Sequence, residues 1–293
     1  MLIGVDVGGT FTDGVLFDGR DIVKTLKRPT DNHNLQAVML DVLDDLLAAV
    51  PEQTAVERIV LSTTLVTNLI ATGQGERTAL ILIPGYGLPH TAYHLSPDTF
   101  FLSGAIDFRG REIEPVSRDE IISLAVKLKQ LGIRRAAIAG KFSNRNRSHE
   151  DQAAELLKQE YPDLEIVLSC DISNRLNFPR RAATAYFTAM ISPEWQNFVD
   201  EVEKALQHKG LAAEVHILKA DGGTLPLSAS RKYPCETIFS GPAASSMGAL
   251  ALTMDNQNSL VVDIGGTTSD LALLVEGQPL HASKGARLLE QYT

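Results

Sequence analysis

The stretch VDVGGTFTD at residues 5–13 decides the fold, because it returns as VDIGGTTSD at residues 262–270. After the first valine, the two copies share both aspartates, both glycines and the threonine that follows the glycines. In each copy an apolar strand precedes the glycines and an alternating apolar segment follows them. The repeat therefore predicts the same strand–turn–strand hairpin once in each half of the chain.

The residue types of this hairpin suit phosphate binding. Paired glycines permit positive φ and bring backbone N–H groups close to a phosphate oxygen, and a threonine hydroxyl just beyond them adds a donor. An aspartate at the strand end directs a carboxylate into a cleft, where it can hold magnesium or orient a nucleophile. One Gly-Gly turn would fit a plain β-hairpin equally well, whereas two copies with flanking aspartates favour a phosphate site.

Strand-like and helix-like segments alternate along the chain, which predicts an α/β fold. The apolar spacing predicts strands at 2–7, 12–17, 21–26, 58–64, 78–83, 136–140, 165–169, 214–219 and 260–264, and helices at 65–71, 118–131, 149–160 and 243–252.

Three further features concern how the predicted strands and helices begin, end and connect. Asp31-Asn32 is predicted to cap a helix that follows it. Residues 84–115 are rich in Pro, Gly, His and aromatic residues, so we predict an insertion that shapes the substrate side of a cleft. A long helix over residues 180–207 is predicted to break at Ser192-Pro193, which would mark a boundary between two halves.

Composition excludes several classes of protein. The net charge of −9 disfavours general polyanion binding, so we expect no nucleic-acid partner. No stretch approaches the roughly 20 apolar residues of a membrane span. The two cysteines, Cys170 and Cys235, lack metal-type spacing and fit a reducing compartment. We therefore expect a soluble, cytoplasmic protein.

The two hairpins resemble the phosphate motifs of the superfamily that contains actin, sugar kinases and Hsp70. Within it the chain resembles the hydantoinase A / 5-oxoprolinase family, through LSTTLVTNLIATGQGERTALI at 61–81, ADGGTLPLSAS at 220–230 and TIFSGPAASSMGAL at 237–250. The resemblance implies an actin-like ATPase (ribonuclease H-like) α/β fold with two related domains. We predict them at residues 1–190 and 191–293, the second of them truncated.

By this resemblance, ATP phosphorylates a cyclic amide such as a hydantoin or 5-oxoproline, which makes the stable amide open to attack. Alternatives are an ATP-dependent carboxylase subunit, a small-molecule kinase, or a non-catalytic protein that ATP regulates. The resemblance implies ATP and magnesium as cofactors and a small-molecule partner, with a homo-oligomer or a second subunit as further possibilities.

The resemblance also implies roles for the hairpin residues. Asp6 and Asp263 would be catalytic and would hold the metal. Asp13 and Asp270 would accept hydrogen bonds from the turns, although ordinary turn-closing aspartates would look the same. The residues implied to cradle phosphate are Gly8, Gly9, Thr10, Thr12, Gly265, Gly266, Thr267 and Thr268.

Outside the hairpins, Thr63, Thr64 and Asn68 lie where a predicted strand leads into a helix, which suits substrate or phosphate oxygens. A simple helix cap by Thr64 is an equal alternative. His90 and His94 are four residues apart, but an ordinary loop is favoured over a metal pair.

Two side chains in the middle of the chain are also open to more than one interpretation. Cys170 is better explained as a buried structural thiol than as a reactive one. Arg181 sits near a predicted helix start, where its charge opposes the helix dipole.

The chain departs from the family pattern in two segments. Gly85-Tyr86-Gly87-Leu88 stands where the family has Gly-Phe-Arg-Asp, and Ala-Ser-Ser at 244–246 stands where it has Gly-Gly-Val. Both departures put a hydantoin or oxoproline substrate in question. The family's glycine-rich adenine segment follows the second hairpin, and nothing after Gly277 resembles it. We therefore predict a fragment of a longer protein, with completion by a partner chain as the alternative.

Overall fold

A computed structural model describes residues 1–31, 34–52, 54–93, 95–211, 213–253, 257–265, 269–281, 285, 287–288 and 291–292. The chain divides into two compact units: Met1–Leu69 with Glu194–Ser283, and Ile70–Pro193 with Lys284–Thr293. The units thus divide the chain differently from the consecutive segments 1–190 and 191–293. The difference arises because strands from both ends of the chain pair in one sheet.

The strands, in chain order, are β1 Leu2–Val7, β2 Phe11–Phe17, β3 Ile22–Pro29, β4 Arg58–Thr63, β5 Thr78–Ile83, β6 Thr99–Phe101, β7 Ala105–Ile106, β8 Glu112–Glu114, β9 Arg135–Gly140, β10 Glu165–Leu168, β11 Glu214–Leu218, β12 Thr224–Pro226, β13 Ser259–Ile264, β14 Ser269–Val275, β15 Gln278–Pro279, β16 Arg287–Leu288 and β17 Gln291–Tyr292. The α-helices are α1 Leu35–Leu47, α2 Leu65–Thr72, α3 Arg118–Gln130, α4 Ser148–Glu160, α5 Ser169–Ile172, α6 Phe178–His208, α7 Leu227–Ser230 and α8 Ser240–Thr253. The α/β class is confirmed.

The first unit is built on a six-stranded sheet in the order β12-β11-β4-β1-β2-β3. Strand β1 pairs antiparallel with β2 and parallel with β4, so the predicted first hairpin is confirmed. Alternate residues of β1, such as Ile3 and Val5, are buried together with Met39 and Val42 of α1. The period of two in β1 therefore leaves its other face free for polar residues.

The cap of α1 differs from the prediction. The side chain of Asn34 accepts a hydrogen bond from the Ala37 N–H, whereas Asp31 was predicted to start the helix and Asn32 lies outside the described residues. Asn34 N–H donates to the carbonyl of Asp31. The chain thus makes one more turn before the helix begins, and the predicted cap position is wrong.

A second, three-stranded sheet of the same unit has the order β13-β14-β15. Its two long strands form the predicted second hairpin. One face of this sheet lies toward α8, and the other exposes a row of large apolar side chains: Leu260, Val262, Ile264, Leu271, Leu273 and Val275.

The second unit holds a four-stranded sheet in the order β10-β9-β5-β6 with parallel strands throughout. Apolar side chains of α3 and α4 form a core on one face, and the first half of α6 forms a core on the other. Residues 84–115 were predicted as an insertion. That prediction is wrong in part, because Thr99–Phe101 pairs with β5 and extends this sheet.

Helix α6 runs unbroken through Pro193, so the predicted break at Ser192-Pro193 is wrong. A proline removes one N–H from the helix. The hydroxyl of Ser192 donates to the Thr188 carbonyl at 2.6 Å and adds a hydrogen bond in the same turn. The two compact units nevertheless meet in sequence at Pro193/Glu194.

Arg181 and Glu150 are fully buried in the second unit. The Arg181 guanidinium donates to Ser169 Oγ at 3.0 Å and to the Gly140 carbonyl. Glu150 accepts from the Gly140 N–H at 2.8 Å, from Ser169 Oγ at 2.6 Å and from the Cys170 N–H at 3.0 Å. The opposite charges thus share partners, which explains why an arginine is tolerated near the start of α6.

None of the helices in the described part of the chain combines the length and apolarity that a membrane span requires.

Removing Arg181 should destabilise the second unit severely. Arg181→Leu leaves the Glu150 carboxylate buried without its counter-charge, and we expect a loss of about 3–5 kcal/mol in the free energy of unfolding. Urea denaturation followed by circular dichroism measures this. Arg134→Leu, at an exposed arginine of the same unit, should change stability by about 0.5 kcal/mol or less. Equal losses in both variants would contradict the buried pairing.

Gly14 allows α1 to approach the first hairpin closely. A Cβ at Gly14 would lie 2.4 Å from Val42 Cγ1 and 3.0 Å from Leu46 Cδ1, so Gly14→Ala should cost about 1–3 kcal/mol through overpacking. A Cβ at Gly248 of α8 meets no atom within 4 Å, so Gly248→Ala should gain about 0.5–1 kcal/mol. Thermal or urea unfolding of the two variants should show opposite signs, and a common sign would refute the close approach.

Candidate functional site

Strand register brings polar side chains into one row on the sheet face opposite α1. Asp6 of β1 lies directly opposite Asp13 on β2 and opposite Ser62 on β4. Asp13 is opposite Lys27 of β3, whose Nζ lies 3.0 Å from the Asp13 carboxylate. Asp13 therefore pairs with a lysine, whereas the sequence predicted that it accepts hydrogen bonds from the turn.

The carboxylate of Asp6 is held in an electrostatically unfavourable place. Its Oδ1 is buried and has no hydrogen-bond partner among the described residues. Burial raises the pKa of Asp6, a hydrogen bond from Ser62 opposes that rise, and the charges of Asp13 and Asp263 add to it. The weak attraction of Lys27 lowers the pKa only slightly. A buried carboxylate beside two others is a site that a cation would stabilise.

The first hairpin turns at Gly8, Gly9 and Thr10. The Gly8 N–H donates to the Phe11 carbonyl at 3.0 Å, and a Cβ at Gly8 would lie 2.9 Å from that oxygen. Neither Gly8 nor Gly9 has positive φ, so the expected reason for the glycines is wrong and the close backbone contact replaces it. Thr10 is exposed beside them, where its hydroxyl is free to face a ligand.

Thr12 was expected to join the phosphate cradle, but the structure does not bring it there. Its side chain is fully buried, on the opposite face of β2 from Asp13. Its hydroxyl lies 3.0 Å from the Thr30 hydroxyl. The alternation of side chains along a strand separates Thr12 from Asp13, because neighbouring residues point to opposite faces.

The second hairpin repeats the register of the first. Asp263 of β13 lies directly opposite Asp270 of β14, as Asp6 lies opposite Asp13. The Ser245 hydroxyl of α8 donates a hydrogen bond to Asp263 Oδ2. Burial, together with the charge of Asp263, raises the pKa of Asp270.

Of the phosphate-cradle residues predicted in the second turn, the structure describes one. Gly265 is exposed at the end of β13. Gly266, Thr267 and Thr268 lie outside the described residues.

Thr63, Thr64 and Asn68 do stand at the junction of β4 with α2, as predicted. Their polar groups are engaged locally. The Thr63 hydroxyl accepts from the Leu65 N–H at 3.2 Å, and the Thr64 hydroxyl donates to the Val7 carbonyl at 3.3 Å. Asn68 Nδ2 donates to the Thr64 hydroxyl at 3.3 Å. The hydroxyl that accepts at the helix start is thus Thr63, and a substrate role for the three remains a prediction.

Sequence reasoning missed the serines that surround the aspartates. Ser240, the first residue of α8, is buried, and its hydroxyl lies 3.1 Å from the Ser62 hydroxyl. It also lies 3.3 Å from the Thr63 carbonyl and accepts from the Thr63 N–H at 3.4 Å. The SGPA motif at 240–243 was the signal available, but it carries no information about which strand the serine contacts.

A cavity of about 370 Å³ adjoins the polar row on the same sheet face. Asp6, Asp13 and Ser62 form its polar end, and Ala244 of α8 lines it as well. The remaining lining residues, most of them apolar, are Gly4, Val5, Gly14, Val15, Thr25, Leu26, Val60 and Leu218.

The structure gives His90 and Cys170, the weaker candidates from the sequence, structural rather than functional roles. His90 stacks on Phe101 with ring centroids 4.0 Å apart, and His94 lies outside the described residues. Burial and the Glu150 carboxylate raise the pKa of the Cys170 thiol, which argues against a reactive thiolate. The described residues contain no group of three or more His, Cys, Asp or Glu side chains that could hold a metal.

The pair predicted to hold a metal, Asp6 and Asp263, offers two carboxylates for a cation rather than a complete protein cage. That number suits magnesium in a nucleotide site, where one or two carboxylates act together with water and phosphate oxygens. The unpartnered Oδ1 of Asp6 is the structural feature that fits such an ion.

Comparison with protein families gives two matches that cover most of the chain. The hydantoinase/oxoprolinase N-terminal region matches residues 2–161. Hydantoinase/oxoprolinase matches residues 181–290.

Individual relatives of known name have low sequence identity to this chain. The chain is 22% identical to the caprolactamase subunit alpha of Pseudomonas jessenii over 94% of its own length and 44% of the relative's. It is 27% identical to the acetophenone carboxylase gamma subunit of Aromatoleum aromaticum, over 94% of its length and 42% of the relative's. The chain thus spans less than half the length of these relatives.

A solved structure shares the fold. The nucleotide-free structure of an acetone carboxylase superimposes with a TM-score of 0.81 at 22% identity, over 94% of this chain and 44% of that one. At this identity the similarity shows the fold alone.

Neutralising Asp6 should stabilise the ligand-free protein. Its pKa in the folded chain lies above the ordinary 3.8, so the folded state loses stability as pH rises from below 3.8 through the folded-state pKa. Asp6→Asn should therefore be more stable than the wild type at pH 7 by about 1–3 kcal/mol, and the gap should close as pH falls toward 4. Unfolding curves across this pH range measure both effects.

Asp18 is the matched control for this measurement. Its carboxylate accepts from the N–H groups of Arg20 and Asp21 at 2.8 Å, which lowers its pKa. Asp18→Asn should therefore reduce stability at pH 7, opposite in sign to Asp6→Asn. A loss of stability in Asp6→Asn would contradict the unfavourable burial of Asp6.

Proposed function

We propose that this chain, which belongs to the hydantoinase/oxoprolinase family, holds the phosphates of ATP between its two hairpins in an enzyme that activates a cyclic amide for ring opening. One observation carries the proposal. Asp6 and Asp263 end equivalent strands in one compact unit, and the charge of Asp263 reaches Asp6 and raises its pKa. A carboxylate whose pKa is raised by burial and by a second carboxylate nearby is typical of a site that handles a cation and phosphate.

The hairpin turns supply the other half of a phosphate site. Gly8 brings two backbone segments into close contact, and Thr10 and Gly265 are exposed at the ends of their strands. Backbone N–H groups in such turns form concave sites for anions. We therefore propose that Gly8, Gly9 and Thr10 bind phosphate from one side, with Gly265, Gly266, Thr267 and Thr268 as the opposite jaw.

Magnesium belongs to this proposal. Asp6 and Asp263 would hold it, and when bound it would neutralise the charge of the transferring phosphoryl group. The Asp6 carboxylate suits this role, because Ser62 donates a hydrogen bond to it and its Oδ1 has no partner among the described residues. Lys27 reduces the repulsion by pairing with Asp13.

ATP is needed because an amide is a poor electrophile. Transfer of a phosphoryl group to the amide oxygen makes the carbonyl carbon open to attack by water. The C–N bond of the ring then breaks, the nitrogen takes up a proton and leaves as an amine, and the carbonyl carbon remains as an acyl phosphate. A second water hydrolyses the acyl phosphate to the carboxylate and inorganic phosphate. The name of the caprolactamase relative supports this reaction class. Residues Thr63, Thr64 and Asn68 remain candidates for the amide side of the site.

A second function is an ATP-dependent carboxylase subunit. It is favoured by the relative in acetophenone carboxylase, and by the two departures from the family pattern noted in the sequence. In this case a ketone takes the place of the cyclic amide. The names of both relatives describe subunits, which supports a second subunit as a partner here. The chain has only two cysteines, Cys170 and Cys235, too few for a disulfide framework, which supports a reducing, cytoplasmic location.

Turnover assays separate these functions. The purified protein is incubated with ATP and magnesium, first with hydantoin, 5-oxoproline or caprolactam, and then with a ketone and bicarbonate. Phosphate release that requires a cyclic amide supports the hydrolase, and release that requires ketone with bicarbonate supports the carboxylase. A stable phosphorylated product indicates a kinase. Slow turnover that is independent of substrate indicates a regulatory ATPase.

Asp6→Ala and Asp263→Ala should each reduce magnesium-dependent turnover by about 100-fold or more, since each removes a charge that stabilises the transferring phosphoryl group. Asp163→Ala, at an exposed carboxylate of the second unit, is the control and should leave the rate unchanged. An Asp6→Ala variant that turns over ATP at the wild-type rate would contradict the proposed phosphate site.

A further inference from the structure

Helix α8 contacts both sheets of the first unit. It packs against β1, β4 and β11 of the six-stranded sheet and against β13, β14 and β15 of the three-stranded sheet. It is therefore the element that connects the first hairpin to the second.

Two serines of this helix each reach one hairpin aspartate. Ser240 bonds the Ser62 hydroxyl at 3.1 Å, and Ser62 is the hydrogen-bond partner of Asp6. Ser245 donates directly to Asp263 Oδ2. Ser245 lies five positions after Ser240 in the helix, a rise of about 7.5 Å along the helix axis.

The backbone at the start of α8 is constrained as well. Phe239, immediately before α8, has a φ of 62°, which is uncommon for an aromatic residue. The Thr67 hydroxyl accepts the Phe239 N–H at 3.3 Å, and Ser240 is held by both backbone groups of Thr63. These contacts fix the rotation of α8 about its axis, and the rotation decides where Ser245 points.

We propose that α8 positions both hairpin aspartates, and that Ser245 is the positioning residue for Asp263. This inference rests on the proposed function. The hydrogen bond to Oδ2 orients the carboxylate and leaves Oδ1 for a cation, as an outer partner orients a metal ligand.

The test measures Mn²⁺ affinity without nucleotide, by titration followed by electron paramagnetic resonance. Ser245→Ala and Ser245→Gly should each weaken Mn²⁺ binding by about 10–100-fold, the effect of losing an outer partner of a metal ligand. Ser245→Thr keeps the hydroxyl and should restore the affinity. Steady-state kinetics should show kcat for ATP turnover falling with little change in the KM for ATP.

Ser246→Ala is the matched control. The Ser246 hydroxyl bonds the Pro242 carbonyl within the helix at 2.8 Å, so its loss should leave Mn²⁺ affinity and turnover unchanged. Thermal unfolding of each variant separates positioning from folding, because a structural role alone would lower the melting temperature and spare the affinity of the folded protein.

The outcomes are distinct. Loss of affinity in Ser245→Ala with recovery in Ser245→Thr supports the inference. Unchanged affinity in Ser245→Ala, in a wild type that binds Mn²⁺, overturns the inference and leaves the proposed function standing. A wild type that neither binds Mn²⁺ nor turns over ATP overturns both.

Discussion

Strand β1 is paired on both edges, and the rest of its unit depends on that pairing. Its antiparallel neighbour β2 comes from the same hairpin, whereas its parallel neighbour β4 arrives after helix α1. Parallel pairing requires such a crossover. With both edges occupied, register leaves β1 no freedom, because a slip of one residue would exchange its apolar and polar faces. Ile3 and Val5 thereby meet α1, and Asp6 is placed between Asp13 and Ser62.

That register places several carboxylates close to one another, and the neighbouring side chains reduce the electrostatic repulsion between them. Asp6 is buried beside two further carboxylates, which raises its pKa. Lys27 pairs with Asp13, and serine hydroxyls reach Asp6 and Asp263. Neutral hydroxyls orient a carboxylate without cancelling its charge. The site thus keeps its attraction for a cation while each carboxylate holds a defined direction, a pattern typical of functional sites.

Periodicity identified the elements that depend on neighbouring residues alone. The strands Leu2–Val7 and Thr78–Ile83 have the predicted bounds, because their apolar runs end at turns that the sequence displays. Helix α6 was predicted to break at Pro193 and does not, since packing on both sides of the proline outweighs one missing hydrogen bond. Residues 84–115 looked irregular, yet three of them extend a sheet, because strand pairing supplies order that local composition does not encode.

By itself the sequence determined the repeated hairpin and, with it, the prediction that Asp6 and Asp263 are the chemically important residues. A repeat of two aspartates, two glycines and a threonine is local information. Only the tertiary structure decided which neighbours those aspartates have. Thr12 belongs to the motif but is turned away by strand alternation, whereas Ser245 lies outside it and is brought into contact by the packing of α8. Contacts between distant segments depend on register and helix rotation, and neither can be read from a motif.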